Sequence, residues 1–128
     1  LNSWLAVLYV GLGGFIGAVA RYGLSLGLAG LSIVIPYGTL LANILGCFVI
    51  GVLLGFAVQT DAITPGARLF LATGFCGGFT TMSSFVYELA SLARAGDFAI
   101  AGLYFSATII GSIVFFYVGT LLVQLLRA

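Results

Sequence analysis

The feature that most limits this chain is the wide spacing of its charged residues. The 128 residues include four Lys and Arg and three Asp and Glu, with long apolar stretches between them. A helix needs roughly 20 apolar residues to cross a hydrocarbon core about 30 Å thick, so four spans would use most of the chain. Charged residues make up 5% of the sequence, against about 25% in a typical soluble domain. The sequence therefore predicts an all-α membrane protein with four transmembrane helices.

Short connections separate the predicted spans. We expect helices at about 4–26, 37–59, 68–94 and 98–126. The first connection is rich in glycine and ends at Pro36, the second is a polar turn that begins at Thr60, and the third is a tight turn at Gly96. Because little sequence remains outside the spans, we expect residues 1–128 to form a single four-helix transmembrane domain. Residues 1–12 contain no basic segment, so a cleaved signal peptide is not expected.

The arginines divide evenly between the two ends of the predicted bundle. Arg68 and Arg127 belong to one end, and Arg21 and Arg94 belong to the other. An excess of Lys and Arg in cytoplasmic loops normally fixes the orientation of a membrane protein, and here there is no excess. We therefore expect insertion in both orientations, which permits an antiparallel homodimer; a bias carried by further terminal residues is the alternative. The net charge of +1 gives no argument for a nucleic-acid partner.

Glycine is abundant in the predicted spans. Gly13 and Gly17, and likewise Gly51 and Gly55, have the four-residue spacing that lets membrane helices approach closely. Because the chain has 19 glycines, such pairs are common by chance. They predict packing surfaces and carry no functional weight.

Three glycines fall close to the middle of the third predicted span: Gly74, Gly77 and Gly78. Each costs about 1 kcal/mol relative to Ala in an ordinary helix. Gly77 follows Arg68 by a distance of about 14 Å along a helix, which places it near the bilayer midplane. Unwound backbone is tolerated there only when it is buried in protein or lines a cavity, where free carbonyls can bind a cation. We expect the third helix to be broken at these glycines; a kink that serves packing alone is the alternative.

Polar side chains follow these glycines. If the helix resumes near Phe79, one face carries Thr81, Ser84, Phe85 and Glu88, with Met82 a neighbour of Phe85. Glu88 is the only acid well inside a span, and such a group is a functional candidate by default. A structural hydrogen bond near the helix end is the alternative.

Two other spans carry polar stripes. Tyr104, Thr108 and Ser112 recur every four residues on the fourth span, and Thr39 and Asn43 do so on the second. A buried amide needs a hydrogen-bond partner. Interhelical hydrogen bonds explain any one of these residues, but three stripes in so short a chain favour a narrow polar pathway. Hydroxyl and amide donors suit a small anion, as do the positive edges of aromatic rings.

Catalytic chemistry is not expected. No catalytic triad, dinucleotide loop or carboxylate pair can be assembled, and no catalytic residue is assigned. Because the sequence contains no His, a Cys/His metal site is excluded. Cys47 and Cys76 are interpreted as small buried apolar groups. The residues alone thus predict a membrane pathway for a small ion or solute.

Three motifs occur in order along the chain. They are Gly13-Gly14-Phe15-Ile16-Gly17-Ala18 with Arg21-Tyr22, then Gly38-Thr39-Leu40 with Asn43, Gly46 and Phe48, and then the segment from Gly74 to Phe85. In these motifs the chain resembles the Fluc (CrcB-like) family of fluoride ion channels, over nearly its whole length. The resemblance implies passive, fluoride-selective efflux from a bacterial cytoplasm. It also implies an antiparallel, dual-topology homodimer with two pores in the bacterial inner membrane, in contact with lipid.

The resemblance further implies roles for individual residues. The fluoride pathway would be lined by Asn43, Met82, Phe85, Tyr104, Thr108 and Ser112. A second set would line the vestibule or take part in gating: Arg21, Thr39, Thr81, Ser84 and Glu88. The backbone carbonyls of Gly77 and Thr80 from both subunits would hold a structural Na⁺ at the dimer centre; no organic cofactor is implied.

Position 82 departs from the family pattern, which usually has Phe there. The thioether of Met82 cannot present a ring edge, although it is flexible enough to fill the space. We expect an assembled dimer with impaired or altered fluoride flux.

Two alternative functions differ in class from a channel. A small dual-topology, proton-coupled multidrug or cation transporter needs an acid in its first span, and residues 4–20 contain none. A non-transporting membrane assembly subunit predicts that Asn43 and Phe85 tolerate replacement by Ala with no effect beyond stability.

Overall fold

The computed structural model of the chain describes residues 1–59 and 61–128, with Gln59 described by its backbone only. Its helices are α1 (Ser3–Leu28), α2 (Tyr37–Gln59), α3 (Pro65–Arg68), a π-helical segment (Leu69–Cys76), α4 (Gly77–Phe79), α5 (Met82–Arg94) and α6 (Phe98–Leu126). Four helical stretches are long and apolar enough to cross a membrane, the third of them being the composite span Pro65–Arg94. The prediction of an all-α chain with four spans is thus confirmed. Thr60, where a polar turn was expected to begin, lies outside the described residues.

Local side-chain chemistry explains where several helices begin and end. The side chain of Asn2 accepts a hydrogen bond from the Trp4 amide and caps α1 at 2.8 Å. At the start of the third span, Thr64 caps the helix while Pro65 occupies the first turn, where its missing N–H costs nothing. Gly96 ends the third span with φ at 79°, a left-handed conformation that favours glycine.

The spans pack through glycines, as predicted. A Cβ atom on Gly13 of α1 would overlap the Phe70 carbonyl oxygen, and one on Gly74 would lie 2.7 Å from the Val10 carbonyl oxygen. A Cβ on Gly51 of α2 would overlap the Phe116 carbonyl oxygen of α6. The bundle therefore consists of α1 held against the first half of the third span, and α2 held against α6 in the most extensive helix contact.

The third span is broken at its middle, but not at the glycines. Gly74, Gly77 and Gly78 all lie in helical backbone, and the extended residues are Thr80, with ψ at 155°, and Thr81, with φ at −152°. The expectation that glycine unwinds the helix, and that the helix resumes near Phe79, is therefore wrong. Two of these glycines, Gly74 and Gly78, instead permit close contact with α1. Because α5 begins only at Met82, Thr81 is its N-cap and does not share a helical face with the residues that follow.

Most of the outer surface of the bundle is apolar. Large hydrophobic side chains are exposed on every span, among them Trp4, Leu54, Val86 and Phe98. Such a surface suits hydrocarbon, because a water-facing surface carries many charged groups. The chain is therefore a multi-pass membrane protein.

Candidate functional site

The helix break is held by a side chain from another helix. Asn43 of α2 is 9% exposed, and its Oδ1 accepts a hydrogen bond from the Thr81 amide at 2.8 Å. Its Nδ2 donates in return to the Thr81 carbonyl oxygen at 3.1 Å. The partner expected for this amide is thus the unwound backbone itself, and one side chain bonds both the amide and the carbonyl of Thr81.

The break leaves several carbonyl oxygens without a helical partner, those of Gly77 and Thr80 among them. The Thr80 amide still donates to the Cys76 carbonyl at 3.0 Å, but the next amide, that of Thr81, donates to Asn43. The regular helical bond onto the Gly77 carbonyl is therefore not made. In the same way, the Ser84 amide donates to the Thr81 hydroxyl at 3.2 Å, so the Thr80 carbonyl does not gain its helical partner.

These carbonyls are the atoms of the site that could hold a metal ion. Among the described residues there is no group of three or more His, Cys, Asp or Glu that could do so. Carbonyl oxygens instead suit hard cations, and unwound membrane helices use them in this way. The carbonyls of Gly77 and Thr80 thus have the chemistry that a hard cation requires of its ligands.

Arg21 also contacts the break. Its Nε donates to the Gly78 carbonyl oxygen at 3.2 Å, in a half-buried position. This contact places a cation at the C-terminal end of α4, where the helix dipole favours positive charge. Because it reaches this far along the third span, Arg21 is not a loop charge. The end-to-end count of arginines therefore becomes Arg68 and Arg127 against Arg94, a difference of one residue.

A cavity of about 250 Å³ opens beside the break, and we call it the break cavity. Its walls are formed by Asn43, Cys47, Thr80, Thr81, Met82, Phe85, Thr108, Ile109 and Ser112. Of the six predicted pathway residues, only Tyr104 is missing from this wall. The break cavity therefore brings together one amide, several hydroxyls and one aromatic ring from three different spans.

The two α5 side chains on this wall differ sharply in exposure. Met82 is 66% exposed, whereas Phe85 is 3% exposed. Phe85 packs edge-on against Tyr104, with ring centroids 5.2 Å apart and planes at 67°. It also stacks with Phe105 at 6.1 Å. The ring of Phe85 is thus fixed by its neighbours, while Met82 is free to move.

Two buried hydroxyls of α6 have no hydrogen-bond partner among the described residues. They are the hydroxyls of Tyr104 and Thr108, which are 2% and 4% exposed. A buried polar group left without a partner costs about 1–3 kcal/mol. The polar stripe of α6 therefore is not explained by bonds between helices, unlike Thr120 further along, which donates to the Gly51 carbonyl at 3.0 Å.

Thr39 and Glu88 form a second polar pair nearer the end of the bundle. The Thr39 hydroxyl donates to Glu88 Oε1 at 2.6 Å. Glu88 lines two adjoining chambers of about 410 and 190 Å³, which we call the mouth chambers, and the loop Ser32–Pro36 lines both. The Tyr104 hydroxyl lies near this pair. Tyr104 also contacts Phe85, which lines the break cavity, so these two rings connect the Thr39–Glu88 pair to that cavity.

The predicted site residues thus fall into three groups. The break holds Thr80, Thr81 and Gly77 with Arg21 beside them. The break cavity holds the pathway residues other than Tyr104, and the mouth chambers hold Thr39 and Glu88. Ser84 is placed by its backbone bond to the Thr81 hydroxyl. Sequence reasoning missed Cys47, which was interpreted as an apolar packing group. Its position one helical turn after Asn43 is the signal that indicates the shared face.

Comparison with known proteins gives consistent results. The family described as "CrcB-like protein, Camphor Resistance (CrcB)" matches residues 8–120. A protein of Chlorobium luteolum is 49% identical over 119 residues, covering 93% of this chain and 92% of its own length. A Prosthecochloris aestuarii protein is 44% identical over 119 residues, covering 93% of each chain. A Marinobacter nauticus protein is 40% identical over 124 residues, covering 97% and 98%. Each of the three is named "Fluoride-specific ion channel FluC".

Proposed function

The chain belongs to the CrcB-like protein family, and we propose that it is a fluoride-selective ion channel that releases fluoride passively from a bacterial cytoplasm across the inner membrane. The names of the relatives support an ion channel and not an enzyme. The observation that carries the proposal is the break cavity, because its free hydrogen-bond donors suit a small anion.

Several hydrogen-bond donors in and near the break cavity have no acceptor within the described residues. The Asn43 amide nitrogen has two N–H groups, and only one is used by the Thr81 carbonyl. Thr108 lines the cavity and Tyr104 packs against Phe85, and the buried hydroxyls of both lack a partner among the described residues. Fluoride accepts hydrogen bonds and donates none, so each free donor replaces a water of its hydration shell. The positive edge of the Phe85 ring adds a further favourable contact.

We propose a pathway along these groups. From a mouth chamber fluoride passes the Thr39–Glu88 pair, then the rings of Tyr104 and Phe85, and reaches Asn43 and the α6 hydroxyls, Ser112 among them. Arg21 adds positive charge near the break, while Thr81 and Ser84 maintain its shape. Glu88 lies at the mouth, where a change in its contact with Thr39 would gate entry.

A second copy of the chain completes the proposed channel. Gly77 and Ser83 are exposed in the middle of the third span. Polar groups facing hydrocarbon at this depth cost several kcal/mol each, so they need a protein partner. We propose an antiparallel, dual-topology homodimer with two pores, in which the partner covers this surface. The near balance of arginines supports insertion in both orientations.

The two free carbonyls support a structural Na⁺ at the dimer centre. In such a dimer Gly77 and Thr80 would each contribute a carbonyl from both subunits, since neither keeps its helical partner. When bound, the ion would supply positive charge that holds the two broken helices together. Asn43 and Arg21 position the carbonyls from within each chain.

Met82 distinguishes this chain from the usual pattern of the family. Its thioether has no positive ring edge, so we propose that it impairs or alters fluoride flux. Because Met82 is 66% exposed within one chain, a larger ring can be placed there without disturbing its own helix bundle.

The test is fluoride efflux from liposomes that contain the purified protein, measured with a fluoride electrode. The wild type is compared with Met82→Phe, and chloride efflux is measured in parallel. Rapid fluoride efflux without chloride efflux, faster in Met82→Phe, is expected. No fluoride movement in either version, with a folded dimer shown by its mass, would overturn the channel proposal. Proton-dependent cation efflux that is abolished by Glu88→Gln would support a transporter instead.

A further inference from the structure

Two sulfur-containing side chains line the break cavity. Cys47 extends from α2 one turn after Asn43, and Met82 is the first residue of α5. Cys47 is a free, half-buried thiol. The proposed fluoride function gives no role to the Cys47 thiol, and it gives the Met82 sulfur only an effect on flux. Cys76, the other cysteine, is 3% exposed and does not line this cavity.

A third group on the same wall also indicates a ligand. Thr108 is 4% exposed, lines the cavity, and its hydroxyl has no hydrogen-bond partner among the described residues. Its oxygen has lone pairs that can face a cation as well as a proton that can face an anion.

We propose that Cys47 and Met82 form a binding site for a soft monovalent cation of the copper(I) or silver(I) class. Thiolate and thioether ligands select such ions over hard cations. The sequence contains no His that would compete for the ion. Met82 has three rotatable side-chain bonds and is 66% exposed, so its sulfur atom can swing toward Cys47 within one cavity.

The binding step changes one proton and no oxidation state. The Cys47 sulfur forms a bond to the cation, and its proton leaves to the buffer. The Met82 sulfur donates a lone pair and loses nothing. Thr108 lines the same cavity, but the step requires no bond from its hydroxyl. The net charge of the cavity is unchanged, because one proton is released for each monovalent cation bound.

This site has a consequence for transport that rests on the proposed function. A cation held by Cys47 and Met82 occupies the cavity through which fluoride is proposed to pass. Soft cations are then expected to block fluoride efflux, in proportion to the occupancy of the site. The binding itself does not depend on fluoride.

The experiment measures silver binding by the purified protein in a chloride-free buffer. Silver nitrate is the probe, and protection of each cysteine from N-ethylmaleimide is read by mass spectrometry. A competing chelator sets the free silver concentration. In the wild type, silver is expected to protect Cys47. Cys47→Ala is expected to lose this binding, and Met82→Leu to weaken it by roughly 10- to 100-fold, the scale on which supporting contacts tune metal sites.

Cys76→Ala is the matched control, and its silver affinity is expected to equal that of the wild type. Affinity that is unchanged in Met82→Leu, or lost in Cys76→Ala, would overturn the two-sulfur site. Block of fluoride efflux is measured separately, as a fraction of the rate of each variant. If no variant conducts fluoride, the channel proposal fails while the binding measurement still decides the silver site.

Discussion

At the scale of single residues, buried polar groups divide into those with partners and those without. Asn43 and Thr120 form hydrogen bonds with backbone groups of neighbouring segments. Thr108 and Tyr104 do not, although both are almost fully buried. Groups with partners should contribute to the stability of the fold, and groups without partners should not. Substitution therefore distinguishes polar side chains that stabilise the fold from those that serve transport.

Replacement of Asn43 should destabilise the fold. Asn43→Ala removes both bonds to Thr81 and leaves the half-buried Thr81 amide without its partner, at about 1–3 kcal/mol. Thermal unfolding in detergent measures the loss. Leu45→Ala is the control, because Leu45 is 41% exposed on the same helix and contributes less. Equal melting temperatures for the two variants would contradict the role of the amide.

Replacement of Thr108 should leave the stability of the fold intact and lower fluoride efflux. Thr108→Val keeps the shape of the side chain and removes a hydroxyl without a partner, so the melting temperature should stay the same or rise. Fluoride efflux should fall, because the pathway loses a donor. Thr120→Val is the matched control: its hydroxyl donates to Gly51, so stability should fall by about 1 kcal/mol. A destabilised Thr108→Val would show that its hydroxyl is structural.

At the scale of elements, the spans could be predicted from the sequence and the break could not be placed. Hydropathy is a local property, so the bounds of α2 and α6 follow directly from it. The break depends on Asn43, which is distant in sequence from Thr81 and supplies the bonds that replace the helical ones. Glycine identity alone pointed a few residues too early, because at Gly74 and Gly78 the missing side chain serves contact with α1 and the backbone stays helical.

Glycine substitutions should therefore disrupt packing between spans. Gly17→Ala places a Cβ against the Phe75 carbonyl oxygen, a backbone atom that cannot rotate away, and should cost about 1–3 kcal/mol. Gly11→Ala on the same helix meets nothing within 4 Å and should stabilise α1 by up to about 1 kcal/mol. Unfolding of both variants by heat or denaturant checks the difference in sign. A neutral Gly17→Ala would mean that α1 can shift away from the third span.

At the scale of the whole molecule, the sequence predicts a class, a family and an antiparallel homodimer, and the homodimer stays a prediction. The near equality of arginines indicates that orientation is weakly set, yet the sequence could not show that Arg21 is used at the break. That contact depends on how α1 lies along the third span, which glycine packing determines. The exposed polar groups at the centre of the bundle then provide the physical reason for a partner.

Orientation should respond to a single charge. Arg94→Gln leaves one end of the bundle without a loop arginine, while the other keeps Arg68 and Arg127. Since loop arginines favour the cytoplasmic side, the variant should insert mainly in one orientation. A C-terminal tag tested for protease access in right-side-out and inverted vesicles reports this. The wild type should show the tag on both faces, and a tag confined to one face in the wild type would contradict dual topology.

The clamp of Asn43 on Thr81 also bears on how the chain enters the membrane. A backbone that has left its helix cannot rest in lipid alone, since its free amide and carbonyl would find no partner there. The third span must therefore either insert as a continuous helix and open later, or arrive beside a helix that already offers an amide. Because α2 precedes the third span in the chain, Asn43 emerges from the ribosome before Thr81 does. The order of the helices thus allows the third span to enter the membrane after α2, which carries Asn43.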